Sequence, residues 1–175
     1  RYICVDSEVQ STLLLGAPGA GKTTVLREII RTLSNGEGLF RAYQVALADE
    51  RSELAGMYEG KSSLDVGART DVMDSCPKAQ AMRMLIRSMA PEVLAADELG
   101  TREDIRAVEE ALTAGIAVIA TMHGKSMEDL YNRPGLENIM AKHLFRTIII
   151  LSDNRCKGRA EQIYRWQNGT YERVK

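Results

Sequence analysis

The sequence predicts an α/β fold, a mainly parallel sheet flanked by helices and followed by a C-terminal β-hairpin. Three observations predict it. Short apolar runs alternate with helix-period patterns, the alternation that builds right-handed βαβ crossovers and a parallel sheet. Three of the runs end in polar side chains of catalytic type, Asp49 with Glu50, Asp97 with Glu98, and His123, and α/β sheets bind ligands at such strand ends. Asn168-Gly169 separates two strand-like runs, the signature of a two-residue hairpin turn.

Each element has its own local reason. Ser11 to Leu15 is an apolar strand that runs into a glycine-rich turn, and Thr23 to Leu33 follows as a helix with Leu26, Ile29, Ile30 and Leu33 on one face. Gly36 ends it. Gln44 to Ala48 is the second strand, and Gly56 to Cys76, rich in Gly, Ser and Asp, reads as a loop. Pro77 suits the first turn of a helix carrying Met82, Leu85, Ile86 and Met89, which Pro91 closes. Val93 to Ala96 is the third strand. Thr101 with Asp104 forms a capping box for a helix with Ile105, Val108 and Leu112 on one face, stopped by Gly115. Ile116 to Thr121 is the fourth strand, Ser126 with Asp129 caps a short helix, and another runs from about Leu136 to Lys142. Thr147 to Leu151 is the fifth strand, and Glu161 to Trp166 with Thr170 to Val174 form the hairpin. Arg1 to Gln10 gives no clear strand or motif.

Composition narrows the function classes. In 175 residues there are 23 basic and 24 acidic side chains, a net charge of −1, which argues against attachment to nucleic acid or membrane through bulk positive charge. Hydrophobic residues at 45% and charged residues at 27% fit an ordinary globular domain. No apolar run reaches the length of a transmembrane helix. Cys4, Cys76 and Cys156 form no CxxC pair and read as buried or idle thiols, and with His123 and His143 they match no metal-ligand spacing. The chain reads as one domain over residues 1–175, cut from a longer protein because it begins at Arg1.

The chemistry starts at Gly16-Ala17-Pro18-Gly19-Ala20-Gly21-Lys22-Thr23-Thr24, which satisfies G-x-x-x-x-G-K-[ST] at every fixed position. Glycines let successive N–H groups curl around phosphate oxygens, and the following helix adds its positive end. Lys22 is expected to reach the β- and γ-phosphates, and Thr23 to ligate Mg²⁺. Asp97, closing the third strand, is expected to hold Mg²⁺, with Glu98 orienting and deprotonating water. The ligand set is therefore ATP and Mg²⁺, and an acid after the metal-binding Asp favours an ATPase over a nucleoside kinase. Glu50 and Glu53 compete with Glu98 for the general-base role. His123 is placed to hydrogen-bond the γ-phosphate. Arg69, Arg83 and Arg87 are candidates for insertion into a neighbouring subunit's site, where an arginine stabilises transition-state charge. His143 reads as structural or exposed.

GAPGAGKTT, ADERSELAG, DVGARTDVMDSCPKAQAMRMLIRSMAPEVLAADELG and TMHGKS together resemble the stage III sporulation protein AA family of endospore-forming bacteria, itself similar to type II and type IV secretion ATPases. The resemblance spans about Leu13 to Leu151. It implies a RecA-like P-loop NTPase core whose N-terminal domain is missing here, and ATP hydrolysis in a ring, a hexamer. It implies a mother-cell motor, cytoplasmic and peripheral at the membrane facing the forespore, acting with membrane-embedded channel proteins and without nucleic acid. Glu50 or Glu53 and His123 would be counterparts of the acidic and histidine boxes of secretion ATPases. Those enzymes usually carry Gly-Glu where this chain has Asp97-Glu98, which leaves the base open between Glu98 and Glu50.

Two other readings compete. A nucleic-acid-dependent RecA-like ATPase would need stacking platforms, and aromatic residues make up only 5% of the chain. A nucleotide switch or scaffold would bind ATP and hardly turn it over.

Overall fold

The structure, a computed structural model, describes residues 2–6, 8–38, 40–152 and 157–175. Among the described residues the main sheet has eight strands in the order β12-β11-β10-β3-β9-β8-β4-β7. These are β3 (Thr12–Gly16), β4 (Val45–Asp49), β7 (Thr70–Asp74), β8 (Val93–Ala96), β9 (Ala117–His123), β10 (Thr147–Leu151), β11 (Ala160–Gln167) and β12 (Thr170–Arg173). From β10 to β7 all neighbours are parallel, while β11 and β12 add on antiparallel. The helices are α1 (Lys22–Asn35), α2 (Lys78–Ser88), α3 (Arg102–Thr113), α4 (Met127–Tyr131) and α5 (Glu137–Ala141).

The parallel strands are apolar along their whole length because both faces are covered. Alternate residues supply the two cores. Leu13, Leu15, Leu94, Val118, Ile148 and Ile150 pack with α2, α3, α4 and α5 residues such as Met82, Leu85, Ile105, Val108 and Ile139. Leu14, Leu47, Ala95, Ile119, Ile149 and Leu151 face the other way, against Leu26, Ile30 and Leu33 of α1. The chain moves outward across the sheet over α1 and returns over α2, α3 and the α4–α5 pair, so the P-loop strand β3 lies in the middle, beside β9.

Local signals operate as expected. Gly36 caps α1 in the left-handed conformation (φ 70°). Thr101 and Asp104 form a reciprocal capping box, and the Ser126 hydroxyl accepts from Asp129 N–H. The hairpin packs onto the core through Tyr171, whose hydroxyl donates to Phe145 O at 2.6 Å and whose pKa burial pushes up. Trp166 stacks on His143 with ring centroids 3.4 Å apart, which assigns His143 a structural contact.

The expected loop from Gly56 to Cys76 is only partly a loop. It contains a small hairpin, β5 (Met57–Tyr58) with β6 (Lys61–Ser62), and then β7, which pairs parallel to β4 from Val45↔Thr70 to Asp49↔Asp74. β7 lies at the sheet edge and is half-buried along its length, so it lacks the apolar pattern of an interior strand. Residues 2–10 also hold a small hairpin, β1 (Cys4–Val5) with β2 (Glu8–Val9). Cys4 and Cys76 are free thiols; Cys156 lies outside the described residues. Among the described residues no helix is long and apolar enough to cross a membrane.

Candidate functional site

The glycine-rich loop joins the carboxyl end of β3 to α1 at the centre of the sheet. Gly19 and Gly21 take φ values of 74° and 89°, the left-handed region that glycine enters without a Cβ penalty. At Gly21 space is limiting too: a Cβ would stand 2.9 Å from Gly158 N. That contact exists because Gly158 N–H donates to Ala20 O at 2.8 Å, which lays the segment after β10 against the loop. Lys22 is only 7% exposed, and its ammonium folds back to donate to Gly16 O at 3.0 Å and Ala17 O at 3.1 Å. An ammonium has three donors, so one is left for a phosphate oxygen. Pro18 and Gly19 form the exposed tip, and Thr24 lies exposed on the first turn of α1.

Asp97 follows β8 directly and ties three elements together. Its Oδ2 accepts from the Thr23 hydroxyl at 2.7 Å, and its Oδ1 accepts from the Thr121 hydroxyl of β9. Thr121 Oγ1 in turn accepts from Glu98 N–H at 2.8 Å. Thr23 and Asp97 thus present a hydroxyl and a carboxylate side by side at the mouth of the loop, a hard oxygen donor set of the kind Mg²⁺ takes. Sequence reading assigned Thr121 no role. A fully buried threonine in an apolar strand looks like core, and only its spacing before His123 hinted otherwise.

A cleft opens beside this cluster, lined by Asp49, Glu50, Arg51, Glu53, Lys78, Asp97 and Glu98. The acids in it are not equivalent. Asp49 is 2% exposed, and its carboxylate accepts from Glu53, Leu54 and Ala55 N–H groups at 2.8 to 3.2 Å. It closes the turn that carries Glu50, Arg51 and Glu53, all exposed. Arg27 of α1 holds the same turn from the other side, donating to Leu54 O at 2.6 Å and Glu53 O at 2.7 Å. Glu98 is exposed, pairs with Arg51 at 2.9 Å, and has a left-handed backbone (φ 52°). Lys78 donates to Glu98 O at 2.6 Å and stands 3.8 Å from Glu50 Oε2.

His123 ends β9 in register with Gly16, exposed at the base of the loop, and its carbonyl accepts from Arg133 at 2.6 Å. The P-loop, Asp97, Glu98, Glu50, Glu53 and His123 therefore meet on one edge of the sheet. The arginines do not join them. Arg69 lies at the opposite end, where its carbonyl accepts from Val45 N–H at the start of β4. Arg83 pairs with Glu110 at 2.9 Å, and Arg87 is exposed on the last turn of α2.

Comparison with known proteins places the family and the fold. Residues 1–171 match the family model described as sporulation stage III, protein AA. The chain is 43% identical over 154 residues to stage III sporulation protein AA of Bacillus subtilis, covering 88% of this chain and 50% of that protein. It is 31% identical over 153 residues to the uncharacterized protein ycf45 of Porphyra purpurea, covering 87% of this chain and 26% of that one. The chain thus spans at most about half the length of these relatives. Among solved structures it resembles the VirB11 ATPase of the Brucella suis type IV secretion system in complex with sulphate, with a TM-score of 0.65 and 14% identity over 89% of this chain and 48% of that one. It also resembles the pilus retraction motor PilT with bound ADP, with a TM-score of 0.58 and 16% identity over 81% and 42% of the two chains. At such identities these likenesses establish the fold, a P-loop core of secretion-ATPase type.

Proposed function

The chain belongs to the stage III sporulation protein AA family, and from that premise we propose that it is the ATPase core of an Mg-ATP-hydrolysing motor of secretion-ATPase type. On this reading residues 1–175 form one RecA-like unit. The motor works as a ring, a hexamer, from the mother-cell cytoplasm at the membrane facing the forespore, on membrane-embedded sporulation channel proteins and without nucleic acid. The observation that carries the reading is the Asp97 carboxylate, shared between Thr23 of the P-loop and Thr121 of β9, with Glu98 next to it in the cleft.

In this reading the backbone from Gly16 to Thr24 cradles the phosphates of ATP and Lys22 neutralises their charge. Thr23 and Asp97 would hold Mg²⁺, which would supply positive charge against the phosphates. Glu98 or Glu50 orients the attacking water and takes its proton, with Glu53 in reserve on the same turn. His123 hydrogen-bonds the γ-phosphate. Arg69 and Arg87 serve a neighbouring subunit, which suits their distance from this chain's own cleft.

The test is turnover and ATP binding in the intact protein. Lys22→Ala should lose both. Glu98→Gln should bind ATP and stop turning over. Turnover that survives in Glu98→Gln and disappears in Glu50→Gln moves the base to Glu50. Turnover that survives Lys22→Ala removes the P-loop as its site, and absence of turnover in the wild-type protein sinks the ATPase reading altogether.

A further inference from the structure

We propose that Lys78 is a positioning residue for hydrolysis, holding the backbone of Glu98 and the carboxylate of Glu50 in fixed relation across the cleft. The inference rests on the ATPase reading above and adds a residue to it. Lys78 opens α2, where it is out of place by local rules. The N-terminal end of a helix carries partial positive charge and favours anions, yet this first turn holds a lysine and no acid. The side chain is also unusually covered for a lysine, with 11% of its surface exposed. What compensates is not on the helix. The ammonium donates to Glu98 O at 2.6 Å and lies 3.8 Å from Glu50 Oε2, so it bridges the end of β8 and the turn after β4.

Glu98 needs such a partner. Its φ of 52° lies in the left-handed region that is unfavourable for a non-glycine residue, so the surroundings must hold it there. They do so from both sides of the residue. Thr121 Oγ1 accepts its N–H at 2.8 Å, and Lys78 donates to its carbonyl. The carboxylate pair with Arg51 cannot serve instead, because both partners are at least half exposed and such pairs contribute little. Leu99 N–H, on the same peptide, donates to Thr121 O at 2.9 Å and keeps part of that hold, so losing Lys78 loosens the Glu98 carbonyl and the turn that aims its carboxylate beside Asp97.

The test compares Lys78→Met and Lys78→Arg in the full-length protein. Lys78→Met should lower kcat by about tenfold to a hundredfold, the size of effect that misplacing a reacting group produces. The Kd for Mg-ATP should stay within about twofold, because binding is assigned to the P-loop. Lys78→Arg, still a cationic donor, should recover a large part of kcat. If Lys78→Met does not fold, Lys78→Leu, which likewise has no donor, takes its place, and the same loss of kcat at unchanged Kd is expected. A kcat unchanged by loss of the cation, or kcat and Kd failing together without rescue by arginine, overturns the proposal. Absence of turnover in the wild-type protein overturns the ATPase reading and this inference with it. Normal wild-type turnover with an unaffected Lys78 variant overturns only the role of Lys78.

Discussion

Replacing Asp49 separates holding the acidic turn after β4 from taking part in chemistry. Its carboxylate is 2% exposed and has three backbone N–H partners, of Glu53, Leu54 and Ala55. In Asp49→Asn one oxygen survives as acceptor, while the amide nitrogen faces an N–H group it cannot accept from. Leaving one buried N–H without an acceptor and losing the charge on the other bonds costs about 2–3 kcal/mol. Asp49→Ala leaves all three donors without the carboxylate, a loss of about 3–5 kcal/mol. In a protein of this size each kcal/mol moves Tm by about 2–4 °C, so Asp49→Asn should melt about 4–12 °C lower and Asp49→Ala lower still. Thermal unfolding followed by circular dichroism reads this directly. Turnover should fall as well, because Glu50, Arg51 and Glu53 ride on the released turn, while the Kd for Mg-ATP stays near wild type. If Asp49→Asn melts within about 1 °C of wild type and turnover alone is lost, Asp49 is a reacting group and its role as the clamp of the turn is wrong.

Three further substitutions probe other contacts. Gly21→Ala puts a Cβ 2.9 Å from Gly158 N at a φ of 89°, whereas Gly19→Ala, at φ 74°, meets nothing within 4 Å. Both pay a left-handed backbone cost of about 1–2 kcal/mol, but only Gly21→Ala should also displace the 158 segment and abolish ATP binding, a difference that equilibrium nucleotide titration measures. Tyr171→Phe removes the bond to Phe145 O and should cost about 1 kcal/mol at neutral pH, seen in urea unfolding. Because burial raises the folded-state pKa of Tyr171, its contribution is complete below the unfolded value of about 10 and is lost as pH rises through the folded value. Wild type should therefore lose stability faster than Tyr171→Phe above about pH 10; equal slopes would contradict a buried hydroxyl.

Much of this was legible before any coordinates, and the boundary between what was and was not is physical. The P-loop, the acids at the ends of β4 and β8, and His123 could be read because strand-to-turn transitions are encoded locally, by apolar runs ending at polar residues. The capping box at Thr101 and the Asn168-Gly169 turn are local for the same reason. β7 was missed because an edge strand with Thr70, Asp71 and Asp74 owes its conformation to pairing with β4, 25 residues earlier in register, and not to its own pattern. Asp49 and Glu50 look alike in sequence and both line the cleft, yet their surroundings differ. One is buried under backbone N–H groups and the other is exposed in the cleft.

Lys78 lay furthest from view, for a reason that applies to any residue whose partner is main chain. A carboxylate can be matched with a lysine by charge, but the Glu98 carbonyl has no letter in the sequence. Its availability depends on the left-handed turn at residue 98, which depends in turn on Thr121 accepting the preceding N–H from another strand. Three elements must be folded before the acceptor exists. The pattern before Pro77 and after it does announce a helix start, and at a helix start a lysine is unfavourable. That local misfit is the one signal the sequence carries, and it points to a distant partner of opposite polarity without naming it. The same logic makes Arg27 informative: its guanidinium is spent on two carbonyls of the Asp49 turn, so α1 couples the P-loop to the turn bearing Glu50 through backbone acceptors alone.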